Sequence, residues 1–556
     1  MTSPAATATP DRATPGPREG RPPGTAPFAG TGTLLRLDLR RDRLVIAAWV
    51  AVIGVFVAFT AVAFADSYPT VADRLPFAAT ISHNAGLVAL TGEPFDLLTT
   101  GGLTAWRIGA LCGALAAVMS YLLVVRHTRA EEETGRLELV GAAAVGRRAP
   151  LTAALLVALV ADAATALVVA APLALGGLPV AGALALGLAI GAAGLVFAAV
   201  AAVAAQLTQT SRAANGLAAT LLGSSYVLRG IGDSSGPAWL SWVSPLGWSL
   251  QTRPFAGERW WVLALHATLL AVLVGAAYAL GARRDLGEGL IPTRQGRPAA
   301  TPALDGPLAL AWRLQRGALV GWAVGFAVLG VIYGTVAESA ADILRESPQL
   351  AETARRFGID PAAAVDSYLA TTLAVGGILA AAYAVQAVLR LRAEETSGTA
   401  EALLSVPLPR LRWVAAHLSV ALLGSALLVA VMGAGAGVGH GLALGDVGGE
   451  LPRLVEAGVA QVPAVWVFAG VSLALFGLAP RRSPLSWAAV VLAFVITWIG
   501  PAVHLPPWAL DVSPFTHLPA LPGGEVTATP YLWLLAVTAV LVVAGAAGVR
   551  RRDLPV

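Results

Sequence analysis

Apolar residues in this chain run in blocks of about twenty, the length a helix needs to cross the hydrocarbon core of a bilayer. The blocks fall near 44–65, 104–125, 150–172, 183–206, 213–231 and 259–282, and again near 317–337, 368–390, 413–435, 458–479, 484–503 and 530–549. In hydrocarbon every backbone N–H and C=O must be satisfied internally, and only helices and closed barrels achieve that. Barrel strands alternate apolar with polar residues, and these blocks do not. An all-α integral membrane fold of twelve transmembrane helices is therefore expected. Charged residues are 13% of the 556, against about 25% in a soluble domain.

The basic residues are all arginine, and their placement orients the helices. Arg40, Arg41 and Arg43 precede the first block; Arg126 and Arg129 follow the second; Arg147 and Arg148 precede the third; Arg212 separates the fourth from the fifth; Arg283 and Arg284 follow the sixth. Arg313 and Arg316, Arg390 and Arg392, Arg410 and Arg412, Arg481 and Arg482, and Arg550 to Arg552 repeat the pattern. All fall on one side if both termini are cytoplasmic, as the positive-inside rule requires. The expected location is the cell membrane. A nucleic-acid partner would need a contiguous basic face, and the net charge of +4 is spread over these loops.

The chain repeats itself. RAEEETGRLE at Arg129 matches RAEETSGTAE at Arg392, WVSPLGW at Trp242 matches DVSPFTH at Asp511, and RRDL at Arg283 matches RRDL at Arg551. The order is kept and the offset drifts little, so two six-helix units are expected. Six is an even number, which makes them parallel repeats about an axis along the membrane normal. The expected division is a disordered tail at 1–32, a first half at 33–282, a linker at 283–306 and a second half at 307–556. The tail is rich in Pro, Gly, Thr and Ala with no apolar face, and its composition does not fit a cleaved signal peptide.

Between the second and third blocks of each half lies a charged segment, Arg126–Arg148 and Arg390–Arg412. In the first, Glu131, Glu132 and Glu133 stand near the start of a run of fair helix formers, where the macrodipole favours acids. Leu137, Leu139 and Val140 give that run an apolar side, so a helix docking in a partner's groove is one reading. A solvated loop whose acids pair with neighbouring arginines is the other.

These segments resemble the coupling helices of ABC exporter membrane subunits of the type-2 export class. That family carries Arg-x-x-Glu-x-x-Gly-Thr-x-Glu-x-Leu, then Pro, between the second and third helices of a six-helix unit. Here Arg392, Glu395, Gly398, Thr399, Glu401, Leu403 and Pro407 supply it, with Glu394 alongside. The first copy has Arg129, Glu131, Glu132, Gly135 and Glu138, with Arg136 at the Thr position and Ala144 at the Pro position. The 6+6 layout is similar to fused double-length permeases of the actinobacterial exporters of polyketide antibiotics such as tetronasin. The resemblance implies coupling contacts at those residues with separate ABC ATPase subunits, two copies per chain, and a hydrophobic or amphiphilic small-molecule substrate. It also implies re-entrant hairpins between the fifth and sixth helices, at Ser235–Phe255 with Trp242, Pro245 and Trp248, and at Leu505–Pro522 with Trp508 and Pro514. Aromatic anchors in ordinary loops are the alternative there. Thr33–Arg43 and Leu308–Gly317 read as interfacial amphipathic helices leading into each half.

The chain lacks the chemistry to act alone. A Walker A loop needs a lysine to reach the phosphates, and the sequence has none. ATP is expected to be bound by a partner, with no cofactor or metal on this chain and no enzyme activity of its own. Gly433–Gly441, GAGAGVGHG, reads as close helix packing or a turn. The seven histidines show no ligand spacing, and the lone Cys112 has no partner for a disulfide. Asp162 sits mid-block, where a charge costs roughly 3 kcal/mol on insertion scales. It needs a polar partner on a neighbouring helix, or else takes part in the substrate path; Ser425 occupies its repeat position. The competing function is a proton-coupled secondary carrier of major-facilitator type, which shares a 6+6 architecture. Its loop after the second helix carries a Gly-x-x-x-Asp-Arg pattern, where this chain is acidic. A lipid-modifying membrane enzyme is a third reading, and no catalytic cluster supports it.

Overall fold

The computed structural model describes residues 26–82, 85–137, 145–234, 236–285, 287–291, 304–346, 363–499 and 505–553. Among the described residues there are helices and turns and no strand. The chain begins with α1 (Thr31–Ser67), two short helices α2 (Val71–Ser82) and α3 (Ala85–Thr91), then α4 (Thr100–His127) and its continuation α5 (Arg129–Glu133). Next come α6 (Ala149–Leu175), α7 (Val180–Leu207), α8 (Ser211–Ser234), the short α9 (Trp239–Val243) and α10 (Pro245–Gln251), and α11 (Val262–Gly281). The remainder is α12 (Pro307–Glu346), α13 (Ala364–Thr396), α14 (Thr399–Leu404), α15 (Arg410–Leu444), α16 (Val447–Val459), α17 (Val462–Leu478), α18 (Ser486–Ile499), α19 (Pro507–Leu510) and α20 (Ala528–Arg551).

Among the described residues, ten helical stretches are long and apolar enough to cross a membrane. They are α1, α4 with α5, α6, α7, α11, α12, α13, α15, α16 with α17, and α20. The protein is an all-α, multi-pass membrane protein. Two blocks of the sequence fall outside this set. α8 has the length but carries Arg212, Asn215, Arg229 and Asp233. α18 has 14 described residues, short of the spanning length, and 500–504 lie outside the described residues.

Two expectations change at the helix starts. Thr33–Arg43 and Leu308–Gly317 are not separate interfacial helices but the opening turns of α1 and α12. No proline or capping residue interrupts the chain at Arg43–Leu44 or Gly317–Ala318, so nothing stops the hydrogen-bond ladder from continuing. Residues 26–30, placed by composition in the tail, fold back as a turn. The N–H groups of Gly146 and Arg148 donate to the carbonyls of Ala29 and Pro27. Phe28 meets the Tyr278 ring edge-on at 6.3 Å, and the Arg148 guanidinium lies 5.8 Å from both ring centres. Residues 1–25 lie outside the described residues.

The chain clusters into two compact units: 1–60 with 108–228 and 241–294, and 61–107 with 229–240 and 295–556. The first unit is built on alanine. Ala158, Ala193, Ala198, Ala201 and Ala202 are fully buried around Phe197 and Val124, so α6 and α7 approach closely. A Cβ at Gly191 would stand 2.9 Å from the Asp162 carbonyl oxygen. The second unit centres on α15, whose glycines face two neighbours. Gly437 and Gly441 lie against α16, and Gly435 and Gly439 against α12. The reading of GAGAGVGHG as a packing surface is what this geometry displays, since small residues let backbones come together where lipid offers no hydrophobic drive.

Candidate functional site

The repeated RAEE motif does not open a free helix. In both copies it is the last turn of a membrane-length helix, α5 continuing α4 in the first and the end of α13 in the second. A glycine then turns the chain, Gly135 at φ +69° and Gly398 at φ +74°. Only glycine adopts that left-handed conformation without steric cost, which accounts for a glycine at the same place in both copies. After Gly398 the chain enters α14, in which Ala400 is buried and Leu404 packs on the core of its own unit. The apolar side of α14 thus faces inward, while Glu401 and Val406 are exposed. After Gly135, Arg136 and Leu137 are helical. Glu138, Leu139, Val140 and Ala144 lie outside the described residues.

Most of the motif acids are paired within the protein. In the first unit Arg284 forks onto Glu132, Nη1 donating to Oε2 at 2.9 Å and Nη2 to Oε1 at 2.6 Å. Arg129 also pairs with Glu132 and donates to the carbonyls of Thr208 and Glu288. Glu131 takes Arg41 and, at 3.6 Å, Arg136, and Glu133 accepts from Ser211. In the second unit Arg552 forks onto Glu395 with both bonds at 2.9 Å, and Arg392 lies 3.4 Å away. Glu394 is buried, accepting from Trp413 Nε1 at 3.0 Å with His417 Nε2 at 3.3 Å and Arg390 at 3.4 Å. Thr399 donates back to the Glu394 carbonyl at 3.1 Å. Among the described residues Glu401 is the motif acid with no internal partner.

The far ends of the two segments are tied the same way. Arg147 Nη2 donates to the Arg284 carbonyl at 2.7 Å. Arg410 Nη1 donates to the Arg552 carbonyl at 2.8 Å. The first copy of RRDL therefore meets the first copy of RAEE, and the second meets the second. Sequence reasoning marked the two repeats separately and used Arg284 and Arg552 only as topology markers, without joining them to the motif acids. The recurrence of both motifs in the same order was the signal available.

The segments between the fifth and sixth blocks are broken helices in both units. Ser244 caps α10, accepting from Gly247 N–H at 3.2 Å, and its hydroxyl bonds that of Ser225 at 2.7 Å. Pro245 follows at the first helical position, Trp248 Nε1 donates to the Trp242 carbonyl at 2.6 Å, and the Trp242 ring stacks on Trp261 at 5.7 Å. In the second unit Ser513 bonds Thr497 at 2.8 Å ahead of Pro514, which opens a single 3-10 turn. Trp508 is exposed.

Asp162 finds its partner on α4. Ser120 Oγ lies 2.9 and 2.8 Å from the two carboxylate oxygens, and both residues are buried. Gly194 makes room, since any Cβ there would collide with Asp162 Oδ1. At the repeat positions Ser425 Oγ donates to the Leu422 carbonyl at 3.0 Å, and the Tyr383 ring fills the space over Gly424. A larger side chain on one helix balances a smaller one on the other. Ser120→Ala should therefore cost roughly 1–3 kcal/mol, the penalty for a buried acceptor left without its donor. It would be read as a lower melting temperature in detergent, and an unchanged melting curve would deny Ser120 that role.

Comparison with known proteins places this architecture. Over 527 residues, 95% of this chain and 95% of the other, the sequence is 43% identical to the multidrug efflux system permease protein Rv1217c of Mycobacterium tuberculosis (strain ATCC 25618 / H37Rv). The chain belongs to the multidrug efflux permease family. The family model described as the C-terminal domain of the multidrug efflux system permease Rv1217c matches residues 304–550. That region of this permease runs from α12 into the last turn of α20 and includes Glu395, while Arg552 lies two residues beyond it.

Proposed function

We propose that this permease is the transmembrane subunit of an ATP-driven ABC exporter of the type-2 class, moving hydrophobic or amphiphilic compounds out of the cell. The observation that carries the reading is the doubled corner: Arg-Ala-Glu-Glu at the end of a membrane helix, then a glycine at positive φ, at Gly135 and Gly398. Membership in the multidrug efflux permease family supports drug-like cargo. Polyketide antibiotics of the tetronasin kind are amphiphilic compounds within that class.

In this reading α8 and α18 are the fifth spans of two parallel six-helix repeats, giving twelve helices with both termini cytoplasmic. The broken helices around Ser244 and Ser513 are the re-entrant hairpins. Two ABC ATPase subunits bind per chain, one at each corner, and ATP resides on them. Glu401, exposed beside Gly398, is the acid best placed to meet a partner.

The test is transport in inverted vesicles. Ethidium should accumulate on addition of ATP when the chain and its partner ATPase are co-expressed, and the purified chain alone should hydrolyse no ATP. Accumulation driven by an imposed pH gradient, with ATP having no effect, would favour the proton-coupled carrier and end the ABC reading.

A further inference from the structure

We propose that Arg284 and Arg552 are positioning residues: each gathers both ends of a coupling segment onto the end of the last membrane helix of its half. The first segment leaves α5 at Glu132, whose carboxylate the Arg284 side chain holds, and returns at Arg147, which holds the Arg284 carbonyl. The second leaves α13 at Glu395 and returns at Arg410, and both fasten on Arg552 in the same manner. Arg284 stands three residues past α11, and Arg552 directly follows α20.

Three physical points favour a tie over a surface contact. The side chains are withdrawn from solvent, Glu132 and Arg284 at 6% and 8% exposure and Glu395 and Arg552 at 3% and 15%. Each carboxylate accepts two parallel bonds from one guanidinium and has a second arginine beside it, Arg129 at Glu132 and Arg392 at Glu395, so its charge is matched from within the protein. Each arginine is itself braced: Arg284 donates to Gln206 Oε1 at 2.6 Å and the Glu288 carbonyl at 2.9 Å, and the Arg552 guanidinium lies 4.6 Å from the Phe476 ring centre. The motif glutamate is therefore a latch and not the surface shown to a motor. A push on either corner is delivered to the last helix of the same half, not absorbed in the loop. This consequence rests on the exporter reading; the tie itself does not.

The experiment is a double-mutant cycle of Glu395→Gln, Arg552→Gln and the double variant in the full chain, repeated with Glu132→Gln and Arg284→Gln. Ethidium efflux per inserted molecule and melting temperature in detergent are both measured. Each single variant should lose about tenfold in efflux, with the double no worse than the poorer single, because partners that act through each other are strongly non-additive. Normalising to inserted protein separates this from a fold defect, which lowers abundance and leaves the rate per molecule alone. Full efflux in Arg552→Gln beside a dead Glu395→Gln would mean that the glutamate acts on something else, and the proposal would fall. Additive melting shifts would overturn the tie whatever the efflux shows. Wild-type efflux that ignores ATP, together with a coupled cycle, would count against the exporter reading alone.

Discussion

The Gly437→Leu chain is expected to yield no monodisperse protein from the membrane. A Cβ at Gly437 would stand 2.6 Å from Leu451 Cα, and one at Gly441 would stand 2.6 Å from Val447 Cα, so α15 and α16 touch backbone to backbone. On its other side α15 meets α12, where a Cβ at Gly435 would stand 2.7 Å from the Ala327 carbonyl oxygen. Overpacking a tight contact costs about 1–3 kcal/mol when side chains can shift, and at Gly437 the obstacle is the main chain of α16. A helix pair in lipid associates through close packing rather than through exclusion of water, so prising α15 from α16 removes the main force joining them. Gly325→Leu is the control: it lies on α12, is exposed, and would meet nothing within 4 Å. Size-exclusion profiles of the two variants in detergent decide the matter. A monodisperse Gly437→Leu protein with the wild-type melting temperature would show that the contact is looser than the backbone distances imply.

The helical membrane fold was legible because the relevant signal is one-dimensional. A block of about twenty apolar residues carries its structural meaning within itself, and ten of the twelve blocks became helices of spanning length and hydropathy. The block in α8 shows where that signal weakens. Its Arg229 is buried, pairing with Asp233 at 3.3 Å and donating to the carbonyls of Ala89 and Leu90 at 3.0 Å. A window over residues 213–231 contains the arginine but none of the distant groups that compensate it. The fused starts of α1 and α12 were missed for a related reason: amphipathic turns and an apolar span look like two objects in sequence, yet a helix ends only where something ends it.

The site was half legible. The duplicated motif located both corners, but the run through its glycine was read as helix-forming, and the turn at Gly135 and Gly398 was not foreseen. The partners of the motif acids were not readable, because Arg284 lies 152 residues from Glu132 and Arg552 lies 157 from Glu395. Spacing in sequence says nothing about distance across a bundle. Asp162 was similar: hydrocarbon demanded a polar neighbour, but nothing before the fold distinguished Ser120 from any other hydroxyl.

A graded series at Gly398 should separate the shape of the corner from the chemistry around it. Gly398 has φ +74° and open space where a Cβ would go, so any penalty for substitution comes from the backbone and not from crowding. An L-residue in that conformation costs about 1–2 kcal/mol, asparagine visits it readily, and a β-branched side chain resists it most. Gly398→Asn should therefore transport ethidium almost as well as the wild type, Gly398→Ala should be intermediate, and Gly398→Val should fall close to the empty-vector level. All three should insert normally, since the cost is small beside what holds α13 in the unit core. Valine can relieve the strain only by straightening the turn, which swings α14 and Glu401 away from their place after Thr396. Equal efflux in the asparagine and valine variants would mean that the direction of α14 is immaterial to transport. Loss of transport together with loss of inserted protein would make the glycine a folding requirement instead.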